Sequence, residues 1–227
     1  MKKQVAVIGL GRLGTALATT LHSLGHDVLA LDVDEKSVQN IASQITHAVQ
    51  ADATNEATLR ELGIGNFDIA IVTMPEVGAS ALTTALLKRL GVGYVIARAN
   101  DELHGNILQE VGADKVVYPE REMGTMIAYA LTMLALGDVI DYTPVTTGYG
   151  VVKLIAPPSF VGQTLSDLGF GAKGKWKVAV LLILRQQEVT ISPSSTEVIK
   201  LGDTLVVSGS RDSLEELTSK FPKTKTK

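Results

Sequence analysis

A glycine-rich segment near the start of the chain, Gly9-Leu10-Gly11-Arg12-Leu13-Gly14, constrains the fold more than any other feature. It follows directly on a short apolar run, residues 5–8, and opens an amphipathic stretch, residues 13–24, so it joins a predicted strand to a predicted helix. At such a junction the first glycine permits a tight turn, the second lets a phosphate approach the backbone, and the third lets helix and strand pack closely. The pattern predicts a Rossmann-type start in which a phosphate binds at the free amides and the positive dipole end of the helix.

Short runs rich in valine, isoleucine and alanine recur through the first half of the chain. They cover residues 5–8, 28–31, 69–72, 94–97 and 116–118. Longer amphipathic stretches lie between them, such as residues 79–90. Continuous apolar runs that alternate with helical patterns are typical of parallel strands covered on both faces by crossover helices. We therefore predict an α/β fold with a doubly wound parallel sheet.

The sequence changes character after Gly137, where threonine, proline and glycine become frequent. Short strand-like and helical segments then follow; the strands cover residues 151–155, 178–184 and 205–208, and the helical turns lie near Leu165 and over residues 214–221. This pattern predicts a second, smaller α+β domain. The boundaries that we expect are residues 1–119 for the Rossmann-type domain, 120–140 for a crossover helix and linker, and 141–221 for the small domain, with a frayed tail at 223–227.

The crossover segment, residues 120–136, is apolar on nearly all sides. Its apolar residues are Met123, Met126, Ile127, Ala130, Leu131, Met133 and Leu134. A helix of this kind must be buried on more than one side. One side can meet its own sheet, and the other meets either a second chain or the small domain of the same chain. We expect the first arrangement, a homodimer.

The composition excludes several classes of protein. A formal net charge of −3 with both signs interspersed gives no broad basic field, so we expect no nucleic-acid partner. The absence of cysteine excludes disulfides, thiolate metal sites and a cysteine nucleophile. The first residues do not resemble a signal peptide, and the longest apolar run, residues 127–136, is about half of the roughly 20 residues that a spanning helix needs. We therefore expect a cytoplasmic protein.

An acidic residue, Asp32, ends the second predicted strand, where its carboxylate can accept hydrogen bonds from ribose hydroxyls and repel a 2′-phosphate. The alternative role is to cap the following helix, but Asp34 is better placed as the cap. The remaining candidates also follow predicted strands, where this fold binds ligands, or lie in the glycine segment. They are Leu13, Val33, Asp52, Ala53, Thr54, Thr73, Met74 and Arg98. Each of them can also be an ordinary loop residue.

One cation within the glycine segment, Arg12, can reach the terminal phosphate of a nucleotide, which suits a guanidinium.

The sequence contains few residues from which a catalytic site could be assembled. His22 and His26 are four residues apart, but Gly25 lies between them at the end of a predicted helix, so surface packing is the favoured reading. His47 and His104 have no nearby partner with metal-ligand spacing. The segment after residue 140 has no histidine that could act as an acid or base against a nicotinamide. We expect that the chain is not an enzyme.

Several ordered motifs resemble the RCK, or TrkA-type, regulators of potassium conductance. They are AVIGLGRLG at residues 6–14, LALD at 29–32, ADAT at 51–54, GAD at 112–114, YPEREMG at 118–124 and LGDTLVVSG at 201–209. The resemblance extends over nearly the whole chain. It implies a regulatory subunit of a Trk/Ktr-type potassium uptake system, assembled from homodimers into a ring, an octamer by our expectation. That ring would lie at the inner face of the membrane, beneath an integral-membrane potassium-translocating subunit.

The same resemblance implies that ATP, ADP or NAD (NADH) occupies the Rossmann site. Gly9, Gly11 and Gly14 would hold the phosphates. Arg12 and Arg98 would contact the terminal phosphate, and Asp32 and Asp52 would hold the adenosine. Glu120 resembles a position that binds a divalent cation, Mg or Ca, near the dimer interface in some relatives; capping its own helix is the alternative. We expect ATP and ADP to differ in recruiting the two arginines and so to shift the assembly between conformations.

Some relatives bind cyclic di-AMP between paired carboxy-terminal domains, and here the chain departs from the pattern. It reads Leu168-Gly169-Phe170-Gly171-Ala172 where a basic residue is expected, so only Lys173 or Lys175 could supply the charge. Two other readings stay open for the whole chain. One is an NAD-dependent oxidoreductase that acts with a partner domain, and the other is a dimeric scaffold whose pocket has no nucleotide affinity.

Overall fold

The computed structural model describes residues 2–134, 139–171 and 173–219, without the side chains of Met133 and Leu134. The predicted tail at 223–227, the end of the predicted helix at 220–221, and Ala172 lie outside the described residues. The chain divides into two compact units, Met1–Glu120 and Arg121–Lys227.

The first unit contains a six-stranded sheet in the order β3-β2-β1-β4-β5-β6, with every neighbouring pair parallel. The strands are β1 (Gln4–Ile8), β2 (Asp27–Asp32), β3 (His47–Gln50), β4 (Ile69–Val72), β5 (Tyr94–Arg98) and β6 (Lys115–Val117). The helices are α1 (Arg12–Ser23), α2 (Glu35–Ile41), α3 (Glu56–Glu61), α4 (Val77–Arg89) and α5 (Glu102–Glu110). Because β1 pairs with both β2 and β4, the strand order reverses at β1, and ligands bind at such a switch point.

Both faces of this sheet are buried, and β1 illustrates how. Val5 and Val7 pack into one apolar cluster with residues of α1 and α2, whereas Ala6 and Ile8 pack into the other cluster. A strand buried on both faces reads as a continuous apolar run, which explains why the sequence pattern was informative. The predicted doubly wound α/β fold is confirmed.

One strand of the first sheet, β3, was missing from the sequence prediction. It is an edge strand with the sequence His-Ala-Val-Gln, and its residues are half-buried or exposed. A strand that pairs on one side only needs no continuous apolar run, so two apolar residues between two polar ones suffice here.

The helix α6 (Pro119–Leu134) begins at the end of the first unit and continues into the second. Tyr129 and Ala130 pack against the core of the second unit. Four other apolar side chains stay exposed, namely Met123, Met126, Ile127 and Leu131. One face of α6 therefore packs against the core of the second unit, and a second apolar face is exposed.

The second unit contains a five-stranded sheet in the order β10-β9-β11-β8-β7, with antiparallel pairing. Its elements are β7 (Val139–Thr146), β8 (Tyr149–Ile155), β9 (Ala179–Arg185), β10 (Glu188–Ile191), β11 (Thr204–Ser210) and α7 (Arg211–Ser219). The sequence prediction missed β7 and β10, the two edge strands. Pro144 and its threonine neighbours indicated a loop, but an edge strand tolerates proline. The strand β7 starts at Val139, within residues 120–140, which were predicted as a crossover helix and linker.

A buried ion pair closes one end of this second sheet. The side chain of Asp203 is fully buried, and its two oxygens each accept a 2.8 Å hydrogen bond from the guanidinium of Arg185. The Lys200 amide donates to the same carboxylate, and Arg185 also donates to Glu197 and to the Val198 carbonyl. This network ties the end of β9 to the loop that precedes β11.

Candidate nucleotide-binding site

The glycine segment forms a tight turn between β1 and α1. Gly9 has φ +97°, in the region that favours glycine, and the Thr73 hydroxyl donates to its carbonyl over 2.7 Å. A Cβ at Gly14 would lie 1.8 Å from the Gly9 carbonyl oxygen. These two glycines are therefore required for the turn and for close packing of α1, as the sequence predicted for the first and third positions.

The middle glycine faces open space. A Cβ at Gly11 would have no heavy atom within 4 Å, and Gly11 is the N-cap of α1. Among the described residues, no side chain caps this end, and the first turn of α1 contains no acidic residue. The free amides and the positive end of the helix dipole thus face an open position, which is the geometry that binds phosphate groups.

The carboxylate of Asp32 holds the glycine segment against the end of β2. Its Oδ2 accepts a 2.5 Å hydrogen bond from the Leu10 amide, and its Oδ1 accepts one of 2.8 Å from the Asp34 amide. Asp34, not Asp32, caps α2 by accepting from the Ser37 amide, as predicted. Each carboxylate oxygen can accept more than one hydrogen bond, so Asp32 can shape the loop and still accept from a ribose.

An open cleft lies at the carboxyl ends of β1 to β4. Its lining residues are Ile8, Gly9, Leu31, Asp32, Val33, Ala51, Ala53 and Met74. The walls are mostly apolar, as a purine ring requires, and Asp32 is the charged group among them. Five of these residues were predicted. Ile8, Leu31 and Ala51 were missed. Ile8 ends β1 and Leu31 is the last residue but one of β2, so both lie where this fold binds ligands, whereas Ala51 follows β3, a strand that the sequence did not predict.

Several predicted residues support the cleft without lining it. Asp52 accepts from both the amide and the hydroxyl of Thr54, over 2.9 and 2.7 Å, and these hydrogen bonds hold the pKa of the Asp52 carboxyl below its usual value. Thr73 is buried and gives its hydroxyl proton to the backbone of β1 and Gly9. Leu13 is half-buried in the first turn of α1. These contacts fix loop geometry; direct contact of Asp52, Thr54 or Thr73 with a nucleotide remains a prediction.

The two predicted phosphate-binding arginines are in different situations. Arg12 is exposed at the first position of α1 and makes no hydrogen bond or ion pair with any residue that the structure describes. Arg98 ends β5, and its Nη2 lies 2.6 Å from Oε1 of Glu120. The hydrogen bond from Arg98 holds the pKa of Glu120 below its usual value. The structure does not bring Arg12 and Arg98 together through a hydrogen bond or ion pair between them.

The predicted cation ligand, Glu120, has Arg98 as its partner in this structure. Within residues 2–134, 139–171 and 173–219, no three carboxylate or imidazole groups are placed so that they could hold a metal ion.

Among the four histidines, His104 is buried, and desolvation lowers its pKa. No helix in the described part of the chain has both the length and the apolar character that crossing a bilayer requires.

Family models match both units of the chain. The TrkA-N domain matches residues 5–119, and the TrkA-C domain matches residues 151–221. The Ktr system potassium uptake protein C of Bacillus subtilis (strain 168) is 40% identical over 92% of this chain and 93% of its own length. The Ktr system potassium uptake protein A of the same organism is 36% identical over 94% of each chain.

Solved structures of one channel are similar in fold. The GsuK channel bound to NAD matches with a TM-score of 0.53 and 23% identity, over 96% of this chain and 38% of that one. GsuK bound to ADP matches with a TM-score of 0.51 and 19% identity, over 59% of this chain and 36% of that one. The chain thus spans less than half of each GsuK chain. The order of its two domains and its identity to the Ktr proteins show that the chain belongs to the TrkA- and Ktr-type family of potassium uptake proteins, which contain RCK domains.

Proposed function

We propose that this chain is the nucleotide-binding regulatory subunit of a potassium uptake system, and that ATP and ADP compete for its Rossmann cleft. The observation that carries this proposal is the open position at Gly11, where free helix amides adjoin an apolar cleft with Asp32 in its wall. Phosphates would bind at the amides, the purine between the apolar walls, and the ribose at Asp32.

NAD is a second candidate for the same cleft. Asp32 suits an unmodified ribose and disfavours the 2′-phosphate of NADP, and GsuK structures with the same fold were solved with NAD and with ADP. Arg12 favours ATP, because the pyrophosphate of a dinucleotide is satisfied by backbone amides and leaves less for an exposed guanidinium to do. NADH is the alternative ligand. The alternative function is that of an NAD-dependent oxidoreductase that acts with a partner domain.

Two further ligands belong to this proposal. Magnesium or calcium would accompany the nucleotide phosphates, with Glu120 as a ligand once Arg98 no longer holds it. Cyclic di-AMP would need a cation in the second unit, where the Lys175 ammonium lies 4.3 Å from the ring centroid of Trp176 and Lys173 is exposed. Lys173 is therefore the better placed of the two for a phosphate.

The subunit would act as a homodimer built on the open face of α6, and dimers would assemble into a ring, an octamer by our proposal. The ring would lie in the cytoplasm against an integral-membrane potassium-translocating subunit. The apolar residues Met123, Met126, Ile127 and Leu131 are 37–62% exposed, and a face of this kind is typical of a protein interface.

Replacing Leu131 by glutamate tests the role of α6. A charge on an apolar dimer contact must be desolvated on association, so we expect the dimer dissociation constant to rise by about tenfold or more. Light scattering after size-exclusion chromatography measures the change. Leu201→Glu is the matched control, since Leu201 is 79% exposed in the second unit and should leave the mass unchanged. Equal masses for wild type and Leu131→Glu would contradict a dimer through α6.

Calorimetric titration with ATP, ADP, NAD and NADH tests the function itself, on wild type and on Arg12→Ala. We expect wild type to bind ATP or ADP more tightly than NADH and to leave the nucleotide unchanged. Losing a charge-assisted hydrogen bond should weaken ATP binding by about 10- to 100-fold in Arg12→Ala, with ADP within about threefold.

Three results of this titration would contradict the proposal. Turnover of NADH would indicate the oxidoreductase, and the absence of any nucleotide affinity in wild type would indicate a scaffold. Equal loss of ATP and ADP affinity in Arg12→Ala would remove the terminal-phosphate role of Arg12.

A further inference from the structure

The Arg98–Glu120 ion pair is placed between the nucleotide cleft and the first turn of α6. In the sheet, Ala97 pairs with Val72, so Arg98 follows beside Thr73, whose hydroxyl holds Gly9. Adjacent strands are about 4.8 Å apart, so the end of β5 lies roughly 10 Å from the end of β1. A long side chain at Arg98 can therefore point either toward phosphates at α1 or toward α6.

In this structure the guanidinium of Arg98 is held by α6. Its Nη2 and Nε donate to the two oxygens of Glu120 over 2.6 and 3.4 Å, and the Arg98 side chain is only 18% exposed. The Glu120 side chain is 68% exposed and lies in the first helical turn, where the helix dipole stabilises its charge without Arg98. Breaking the ion pair therefore costs Glu120 little free energy. The backbone of Arg98 stays fixed at the carboxyl end of β5 while its guanidinium changes partner.

We infer that Glu120 sets the discrimination between ATP and ADP by competing with the terminal phosphate for Arg98. The third phosphate of ATP attracts the guanidinium away from Glu120 and frees the start of α6, whereas ADP leaves the ion pair intact. This inference rests on the proposed nucleotide function. It adds a residue that, without a divalent cation, opposes ATP binding, and it links the phosphate to α6, the helix with the open apolar face.

Glu120→Gln tests the competition, because glutamine keeps the shape and removes the charge. Titrations are done in EDTA, so that no divalent cation reaches the carboxylate. Since a partly exposed ion pair is weak, we expect ATP affinity to rise by about three- to tenfold and ADP affinity to change less than about twofold. Glu110→Gln is the matched control: Glu110 is exposed at the end of α5 and has no ion pair among the described residues, so both affinities should stay as in wild type.

A double-mutant cycle separates competition from a general effect of charge. In an Arg98→Gln background, Glu120→Gln should no longer raise ATP affinity, because the contested guanidinium is gone. Hydrogen exchange in the second turn of α6, whose amides are the first with helical acceptors, gives a second readout. Exchange should be faster with ATP than with ADP in wild type, and this difference should disappear in Glu120→Gln.

The inference is overturned if Glu120→Gln lowers ATP affinity, shifts ATP and ADP equally, or still raises ATP affinity without Arg98. Failure of the proposed function gives a different result, since wild type would then bind neither nucleotide. Wild type that binds both nucleotides, with no change in Glu120→Gln, would overturn the competition and leave the nucleotide function intact.

Discussion

Replacing Gly14 by alanine is expected to destabilise the first unit by about 3 kcal/mol or more and to abolish nucleotide binding. The new Cβ would lie 1.8 Å from the Gly9 carbonyl oxygen and 2.8 Å from the Thr73 hydroxyl oxygen. Both groups are held by hydrogen bonds at the ends of β1 and β4, so neither can yield without moving the strands. Thermal unfolding followed by circular dichroism and calorimetric titration with ATP measure the two losses.

Gly11→Ala is the control that separates binding from folding. Gly11 has φ −65° and ψ −173°, which alanine adopts without strain, and its Cβ would meet no atom within 4 Å. Stability should therefore fall by no more than about 1 kcal/mol, the cost of alanine as an N-cap. The methyl group would occupy the place where phosphates approach the amides, so ATP affinity should fall by about tenfold or more. Unchanged ATP affinity in Gly11→Ala would mean that phosphates do not bind at this turn.

The first sheet could be predicted from sequence because its central strands are buried on both faces. β1, with its continuous apolar run, is an example, and it was found within one residue. The strands that were missed, β3, β7 and β10, lie at the edges of the two sheets. An edge strand is specified by its pairing partner more than by its own residues, and that information is not local in sequence.

The candidate site was predictable in position but less so in detail. The rule that ligands bind at strand ends located Asp32, Val33 and Met74. It did not distinguish residues that face the cleft from residues such as Thr73 and Asp52, whose polar side-chain atoms form hydrogen bonds within the protein. These hydrogen bonds join segments far apart in sequence or depend on the local turn.

The Arg98–Glu120 pair illustrates the same limit of sequence reasoning. Each residue had a predicted ligand of its own, but 22 positions separate them, and their contact follows from the adjacency of β5 and the start of α6. No spacing rule for helices or strands brings two such residues together, so the contact could only be found in the structure.

Replacing Asp203 by asparagine is expected to destabilise the second unit by about 3 to 5 kcal/mol at pH 7, because it leaves the Arg185 charge without its main partner in a largely buried position. The single tryptophan of the chain, Trp176, is buried in the core of this unit, so its fluorescence in urea reports the change. Glu188→Gln is the control. It removes an exposed charge from β10 that has no ion pair among the described residues, and it should cost less than about 0.5 kcal/mol.

The effect of Asp203→Asn should depend on pH in a defined direction. Burial alone would raise the pKa of Asp203, but the hydrogen bonds from Arg185 and the Lys200 amide outweigh it, and the pKa lies below its usual value. A carboxyl whose pKa is lowered by folding contributes stability above its unfolded pKa of about 3.9, and loses it as the pH falls toward the folded value. The difference between wild type and Asp203→Asn should therefore be constant from pH 7 to about 5 and shrink below about pH 4. A difference that grows on acidification would mean that the buried pair does not stabilise the charged carboxylate.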